Sequence, residues 1–235
     1  MNEKDTRRGY VDTDEIEFSS ESLVVLRKAQ EEILWLMDRG YPIKNTVTFV
    51  GNHYMLSNRQ RLALTRATST TASIAARKNK EVFSCDDQII SIDGLNLIIT
   101  LEVALSGSIL IKCMDGTIRD LAGLRGTYRL IDKTDNAITL IGRKLKSMNV
   151  AESVFYLDAP VSNTGRLKTR IFELLGHYDY GISVELINNP DAFLKSKAYV
   201  VTSDSIILNE CASWINLAES IITESISSAK YIELW

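Results

Sequence analysis

Three apolar runs in this chain end at an acid: Ile-Ile-Ser-Ile-Asp93, Phe-Tyr-Leu-Asp158 and Val-Val-Thr-Ser-Asp204. Short runs rich in β-branched and aromatic residues read as buried strands, and a parallel sheet would deliver all three carboxylates to its carboxyl edge, where open α/β sheets bind ligands. Like charges gathered in one crevice raise one another's pKa unless a cation offsets them, so a divalent ion is the economical expectation. Carboxylates and water suit Mg²⁺ or Mn²⁺; no Cys/His cluster competes, because His53 and His177 stand alone. Such a site can activate water and stabilise charge on a phosphodiester. Taken singly, each aspartate also reads as a helix cap, and Asp93 with Asn96 as a simple turn.

The elements that must position these acids alternate strand and helix from residue 81 onward. Strands are expected over 89–92, 109–113, 154–157, 182–187 and 199–202. Helices are expected from 97 to about 105, from about 136 to 145, over 164–175, and in a final segment carrying Trp214, Leu217, Ile221 and Ile222. This pattern predicts an α/β domain with a mostly parallel sheet covered by helices on both faces. Val161-Ser162-Asn163-Thr164-Gly165-Arg166 opens one helix with hydroxyl, amide and guanidinium groups. Ser162, Asn163 and Arg166 there could hold a phosphate, or the segment could be an ordinary cap. Arg119, Arg125 and Arg129 could line the same crevice or lie on the surface.

Residues 1–18 read as a frayed leader, and 19–80 as a small helical domain. A first helix runs from Ser19 or Ser20 to Asp38, a second over 43–50, and a third from Ser57 towards Ala76. Between residues 39 and 80 the chain carries Arg39, Lys44, Arg59, Arg61, Arg66, Arg77, Lys78 and Lys80 and no acid, against a total net charge of −3. That segregation suggests a face for nucleic-acid phosphates, with Arg59, Arg61, Arg66, Arg77, Lys78 and Lys80 as contacts. The three helices are also compatible with a helix-turn-helix. A solvated basic face is the plainer reading.

Asp93-Gly94-Leu95-Asn96 after an apolar strand, with Thr202-Ser203-Asp204 after a late one, resembles the PIN-like nuclease superfamily and its NYN branch over roughly residues 87–218. The resemblance implies a PIN-like metal-dependent ribonuclease fold. Asp93 would be the central metal ligand, Asn96 its helper, Asp158 and Asp204 further ligands, and Asp120, or failing that Glu102, the acid of the middle helix. Asp158 lacks the adjacent second acid common in the branch. The chain as a whole also resembles an uncharacterised archaeal and bacterial family that joins a helical domain to such a module.

The leading expectation is therefore a Mg²⁺- or Mn²⁺-dependent RNA endonuclease whose basic helical domain recruits substrate. An inactive RNA-binding relative, and a DNA-binding regulator with a ligand-sensing α/β domain, stay open beside it. With 235 residues, 45% of them hydrophobic, a substantial core is affordable. Cys85, Cys113 and Cys211 read as reduced core thiols, and no apolar stretch is long enough for a membrane span, so a cytoplasmic location is expected. Leu234 and Trp235 pack either internally or across a homodimer.

Overall fold

The computed structural model describes residues 6–123 and 126–235. Its N-terminal part comprises α1 (Asp14–Glu17), α2 (Ser20–Met37), α3 (Ile43–His53), α4 (Asn58–Ala67) and α5 (Thr71–Lys78). Ser19 caps α2 by accepting from Ser22 N at 3.3 Å, and Ser57 with Gln60 forms a reciprocal capping box on α4. The single third helix expected from the sequence is two. Thr68 turns extended and ends α4, and Thr70 accepts from Ser73 N to start α5. The leader is likewise not frayed over residues 6–18, where Asp14 and Phe18 are buried; residues 1–5 lie outside the described part.

The remainder runs β1 (Ile89–Asp93), α6 (Gly94–Leu105), β2 (Ile109–Lys112), β3 (Ile118–Asp120), α7 (Thr134–Ser147), β4 (Glu152–Asp158), α8 (Thr164–Leu175), β5 (Gly181–Ile187), α9 (Pro190–Leu194), β6 (Val200–Val201), α10 (Ser205–Glu210), β7 (Trp214–Ile215), α11 (Leu217–Ser225) and β8 (Lys230–Glu233). The main sheet has the order β5-β4-β1-β6-β7, with every neighbouring pair parallel. Side chains alternate along its strands. Ile90, Ile92, Phe155, Leu157 and Val184 join a core with α6, α7, α8 and α11, while Tyr156, Val200 and Trp214 meet α9 and α10 on the other face. The fold is α/β, a mostly parallel sheet flanked by helices and preceded by further helices.

Two expectations change. The strand at 109–112 belongs to a separate sheet, β3-β2-β8, and Trp214 sits in a buried strand rather than in the last helix. A tight hairpin through Asp115 and Gly116 pairs β2 with β3 antiparallel on one edge, and β8 pairs parallel on the other, leaving β2 no edge for the main sheet. Helix α6 is buried along almost its whole length, Thr100 and Glu102 included, because it lies between the two sheets and against α7 and α11.

The small sheet shares its core with the N-terminal helices: Ile111, Cys113, Leu121 and Leu234 pack with Leu26, Ile33, Val50 and Leu64. A boundary at residue 81 therefore separates two patterns of sequence but not two cores. Leu234 is buried there, Trp235 is exposed, and the three cysteines are buried and unpaired. No helix among the described residues is long and apolar enough to cross a membrane.

The N-terminal strap is fastened by charge. Arg8 Nε lies 2.5 Å from Oε2 of Glu102, whose side chain is wholly buried on α6; Tyr128 donates to Oε1 at 2.7 Å and Thr134 also donates to it. Burial raises the Glu102 pKa, with Arg8 opposing it. Arg8→Met should therefore cost about 3 kcal/mol in chemical denaturation, the penalty for stranding a buried charge, and Arg8→Met/Glu102→Gln should recover most of it. Equal losses in the single and double variants would assign Arg8 a packing role instead.

Candidate functional site

Strand β1 lies between β4 and β6, so the strand order reverses around it and a crevice opens beyond its carboxyl end. Asp93 closes β1 there and is 7% exposed. Thr202, just past β6, donates its hydroxyl to Asp93 Oδ2 at 2.8 Å and accepts from the Asp204 backbone N–H at 3.0 Å. Asn96, in the first turn of α6, accepts from both the N–H and the hydroxyl of Ser203, at 3.0 and 2.9 Å. The two short motifs Asp93-Gly94-Leu95-Asn96 and Thr202-Ser203-Asp204 are thus bonded to one another. Gly94 allows the close approach of α6 to β4, since a Cβ at this position would come within 2.6 Å of Leu157 Cδ2 and 3.2 Å of the Tyr156 carbonyl oxygen.

The crevice holds a cavity of about 570 Å³ lined by Asp93, Asp120, Asp158, Asp191 and Asp204, with Arg66, Arg119 and Asn96 also on its wall. Their bonding divides these acids. Asp120 has both oxygens occupied, Oδ1 by Ala122 N at 2.8 Å and Arg66 at 3.3 Å, Oδ2 by Thr100 at 3.0 Å; it lies on β3, not in a middle helix. Glu102 is remote, paired with Arg8 in the core. Asp204 does cap α10, accepting from Ile206 N and Ile207 N at 2.7 and 3.2 Å, but through Oδ1 alone. Among the described residues, no other residue hydrogen-bonds the carboxylate of Asp158 or Asp191; Asp158 is met only by its own backbone. Asp191 is the site residue that the strand-end pattern missed. It enters on the five-residue α9 after β5, and its signal was the Asn-Pro-Asp sequence, which sets Asn189 as the cap and Pro190 at the helix start.

Most of the basic residues are spent inside the molecule. Arg59 binds Asp14 (2.5 and 2.9 Å), the Gly9 carbonyl (2.8 Å) and the Leu121 carbonyl (3.1 Å); Arg61 binds the Leu56 carbonyl and Asn52, both at 2.9 Å. Arg77 is buried on Asp115, Ser69 and Asn209, and Lys80 holds the carbonyls of Leu208 and Asn209. Arg59, Arg77 and Lys80 are therefore committed to partners within the fold rather than to an outward phosphate-binding face. Lys78 is exposed, and Arg66 is half-buried at the cavity wall. Arg119 lines the cavity, but all three of its nitrogens are engaged.

The Ser162–Arg166 segment is not part of the cavity wall. Asn163 takes a left-handed conformation and donates to the Tyr128 carbonyl at 2.7 Å, and Ser162 bridges to Thr127, so this helix start fastens a loop. Arg166 and Arg129 are exposed, and Arg125 lies outside the described residues.

Residues 50–220 match a family described as a domain of unknown function, DUF5616. The chain belongs to this family. It is also similar to the uncharacterised protein MJ0935 of Methanocaldococcus jannaschii, with 34% identity over 207 residues, 87% of this chain and 98% of that one. No solved structure matches. The part matched to DUF5616 holds all five cavity aspartates.

In this DUF5616 chain the cavity is electrostatically costly. Burial raises the Asp93 pKa to about 7, the Thr202 hydrogen bond opposing it and the charges of Asp191, Asp204 and Asp158 adding to it. Partial burial and Asp191 raise Asp158. Asp191, exposed overall, is raised by desolvation at the wall and by Asp204, with Lys195 opposing. Among the described residues no three Asp, Glu, His or Cys groups form a cluster able to hold a metal ion directly. The all-oxygen donor set does fit an ion that keeps much of its hydration, as Mg²⁺ does when it is held by one or two carboxylates.

A raised carboxyl pKa has a definite sign. The stabilisation is complete below the unfolded value near 4 and is lost as pH rises through about 7, where the buried group must ionise. In EDTA, stability relative to Asp93→Asn should fall between about pH 4 and 7, by at most ~4 kcal/mol. Parallel pH profiles for the two proteins would show that Asp93 is not buried as a neutral acid.

Proposed function

We propose that the chain is a divalent-cation-dependent phosphodiesterase that hydrolyses RNA, with its active site in the aspartate-lined crevice. The observation that carries this reading is the set of four aspartates, Asp93, Asp158, Asp191 and Asp204, brought from four different segments to the switch point of a parallel sheet with carboxylate oxygens left unbonded. A fold without further use for that crevice would neutralise such a group, as it has done for Asp120.

Asp93, Asp158, Asp191 and Asp204 would hold a hydrated Mg²⁺ or Mn²⁺, no more than two of them directly and the others through water. Bound there, the ion supplies positive charge to the phosphodiester oxygens and makes a bound water more acidic. Thr202 fixes the Asp93 carboxylate, and Asn96 fixes Ser203, the residue before Asp204, by accepting from its N–H and hydroxyl. Asp158, which no other residue hydrogen-bonds, would be free to accept the proton of an attacking water. Arg66 is the cation at the cavity wall that could reach a phosphate by loosening its contacts with Asp120. RNA as the substrate is supported by the resemblance of the two bonded motifs to PIN-like nucleases.

The test is Mn²⁺-dependent cleavage of a mixed single-stranded and hairpin RNA pool. Asp93→Asn should lower cleavage by at least about 100-fold, while the variant stays folded and gains stability at neutral pH. Retained cleavage in that variant would remove Asp93 from the chemistry. Salt-sensitive RNA binding without turnover in the wild type would move the chain to the inactive, RNA-binding reading.

A further inference from the structure

Asp115 lies in the hairpin turn between β2 and β3, outside the main sheet, and its side chain is 1% exposed. A buried carboxylate in a turn needs partners, and this one has four donors. Arg77 Nη1 and Arg119 Nη2 meet Oδ2 at 2.5 and 2.6 Å; Thr117 supplies its N–H at 3.2 Å and its hydroxyl at 2.6 Å to Oδ1. Burial alone would raise its pKa, but Arg119, Thr117 and Arg77 outweigh that and hold it below the ordinary range.

What the two arginines do with their remaining nitrogens gives the cluster its direction. Arg119 Nε donates to the Ser203 carbonyl at 2.6 Å, and Arg77 Nη2 donates to the Ser205 carbonyl at 3.3 Å. Those carbonyls belong to the residues on either side of Asp204. Arg77 Nε also holds Asn209 Oδ1 at 2.8 Å, further along the helix that Asp204 caps. The same guanidinium groups reach back to the N-terminal helices, Arg119 to the Arg66 carbonyl and Arg77 to Ser69 Oγ at 2.8 Å. Without Asp115 two like charges would face each other in a buried site, and neither could keep its place.

We propose that Asp115 is a positioning residue for Asp204, acting through Arg119 and Arg77, which clasp the carbonyls of the residues on either side of it. The link to metal binding rests on the reading of the crevice given above; the clasp itself does not. Outer partners that orient a ligand commonly change metal affinity by about 10- to 100-fold when removed.

The experiment uses the full chain in two measurements. Amide hydrogen exchange at Ile206 and Ile207, the N–H groups capped by Asp204, should accelerate in Asp115→Asn, and calorimetric Mn²⁺ affinity should weaken by about tenfold. In an Asp204→Asn background the Asp115 substitution should weaken Mn²⁺ binding no further. Arg77→Lys keeps a charge beside Asp115 but gives up the paired reach to Ser205 and Asn209. It should show the same direction of change, and it serves if Asp115→Asn fails to fold. Unchanged exchange at Ile206 and Ile207 in the folded variant overturns the clasp, and additive losses of Mn²⁺ affinity overturn the route through Asp204. Accelerated exchange in a chain whose wild type takes up no Mn²⁺ supports the clasp and instead overturns the metal reading of the crevice.

Discussion

The constraint on which most of the structure depends is the position of β1, paired on both edges and covered on both faces. With β4 on one side and β6 on the other, its last residue has nowhere to go except into the gap where the strand order reverses, and that residue is an aspartate. A carboxylate so placed is out of reach of bulk water and close to three others. Thr202 supplies it with one hydrogen bond, far less than a buried charge ordinarily demands. The neighbouring geometry follows from satisfying that residue. Thr202 must stand beside Asp93, Asp204 follows Thr202 by two residues, and the backbone between them is pinned by Asn96 from the start of α6.

Around this acid-rich opening the arginines form an inner layer. Each buried guanidinium is matched to an acid and to backbone carbonyls: Arg59 to Asp14 and the strap, Arg77 and Arg119 to Asp115, Arg8 to Glu102. Arginine suits this duty because its planar fork can satisfy several acceptors at once and is less strongly hydrated than an ammonium group. Three of these links join parts distant in sequence, which is why the N-terminal helices, the small sheet and the main sheet are bound together despite the change of sequence pattern near residue 81. The segregation of positive charge in residues 39–80 thus has a structural use, and only Arg66 remains at the cavity wall.

Periodicity made the main sheet legible, because β1, β4 and β5 are short β-branched or aromatic runs whose alternate residues serve two cores. It also made Asp93, Asp158 and Asp204 legible as one group, since parallel strands share a carboxyl edge. Pairing partners were not legible. The run at 109–112 looks like another strand of the same sheet, and it is committed to the second one because β3 and β8 take its two edges. The third helix was overextended because Thr68 and Thr70 carry no strong break in composition; their effect comes from backbone conformation and a cap. Asp191 escaped because it arrives on a single helical turn after the strand has ended, and the direction of each arginine escaped because charge counts carry no orientation.

The same bookkeeping of oxygens separates acids that look alike in sequence. Asp120, Asp115 and Glu102 are each bonded by several donors, so their charge is already absorbed by the fold. Asp158 and Asp191 are bonded by no other residue among those described, while Asp93 and Asp204 use one oxygen each. Unabsorbed negative charge facing a cavity is destabilising unless something from outside the chain answers it. The crevice keeps four such carboxylates, while the same molecule neutralises its buried acids Asp115, Asp120 and Glu102, and on the reading proposed for it a cation drawn from solvent would be the partner that answers their charge.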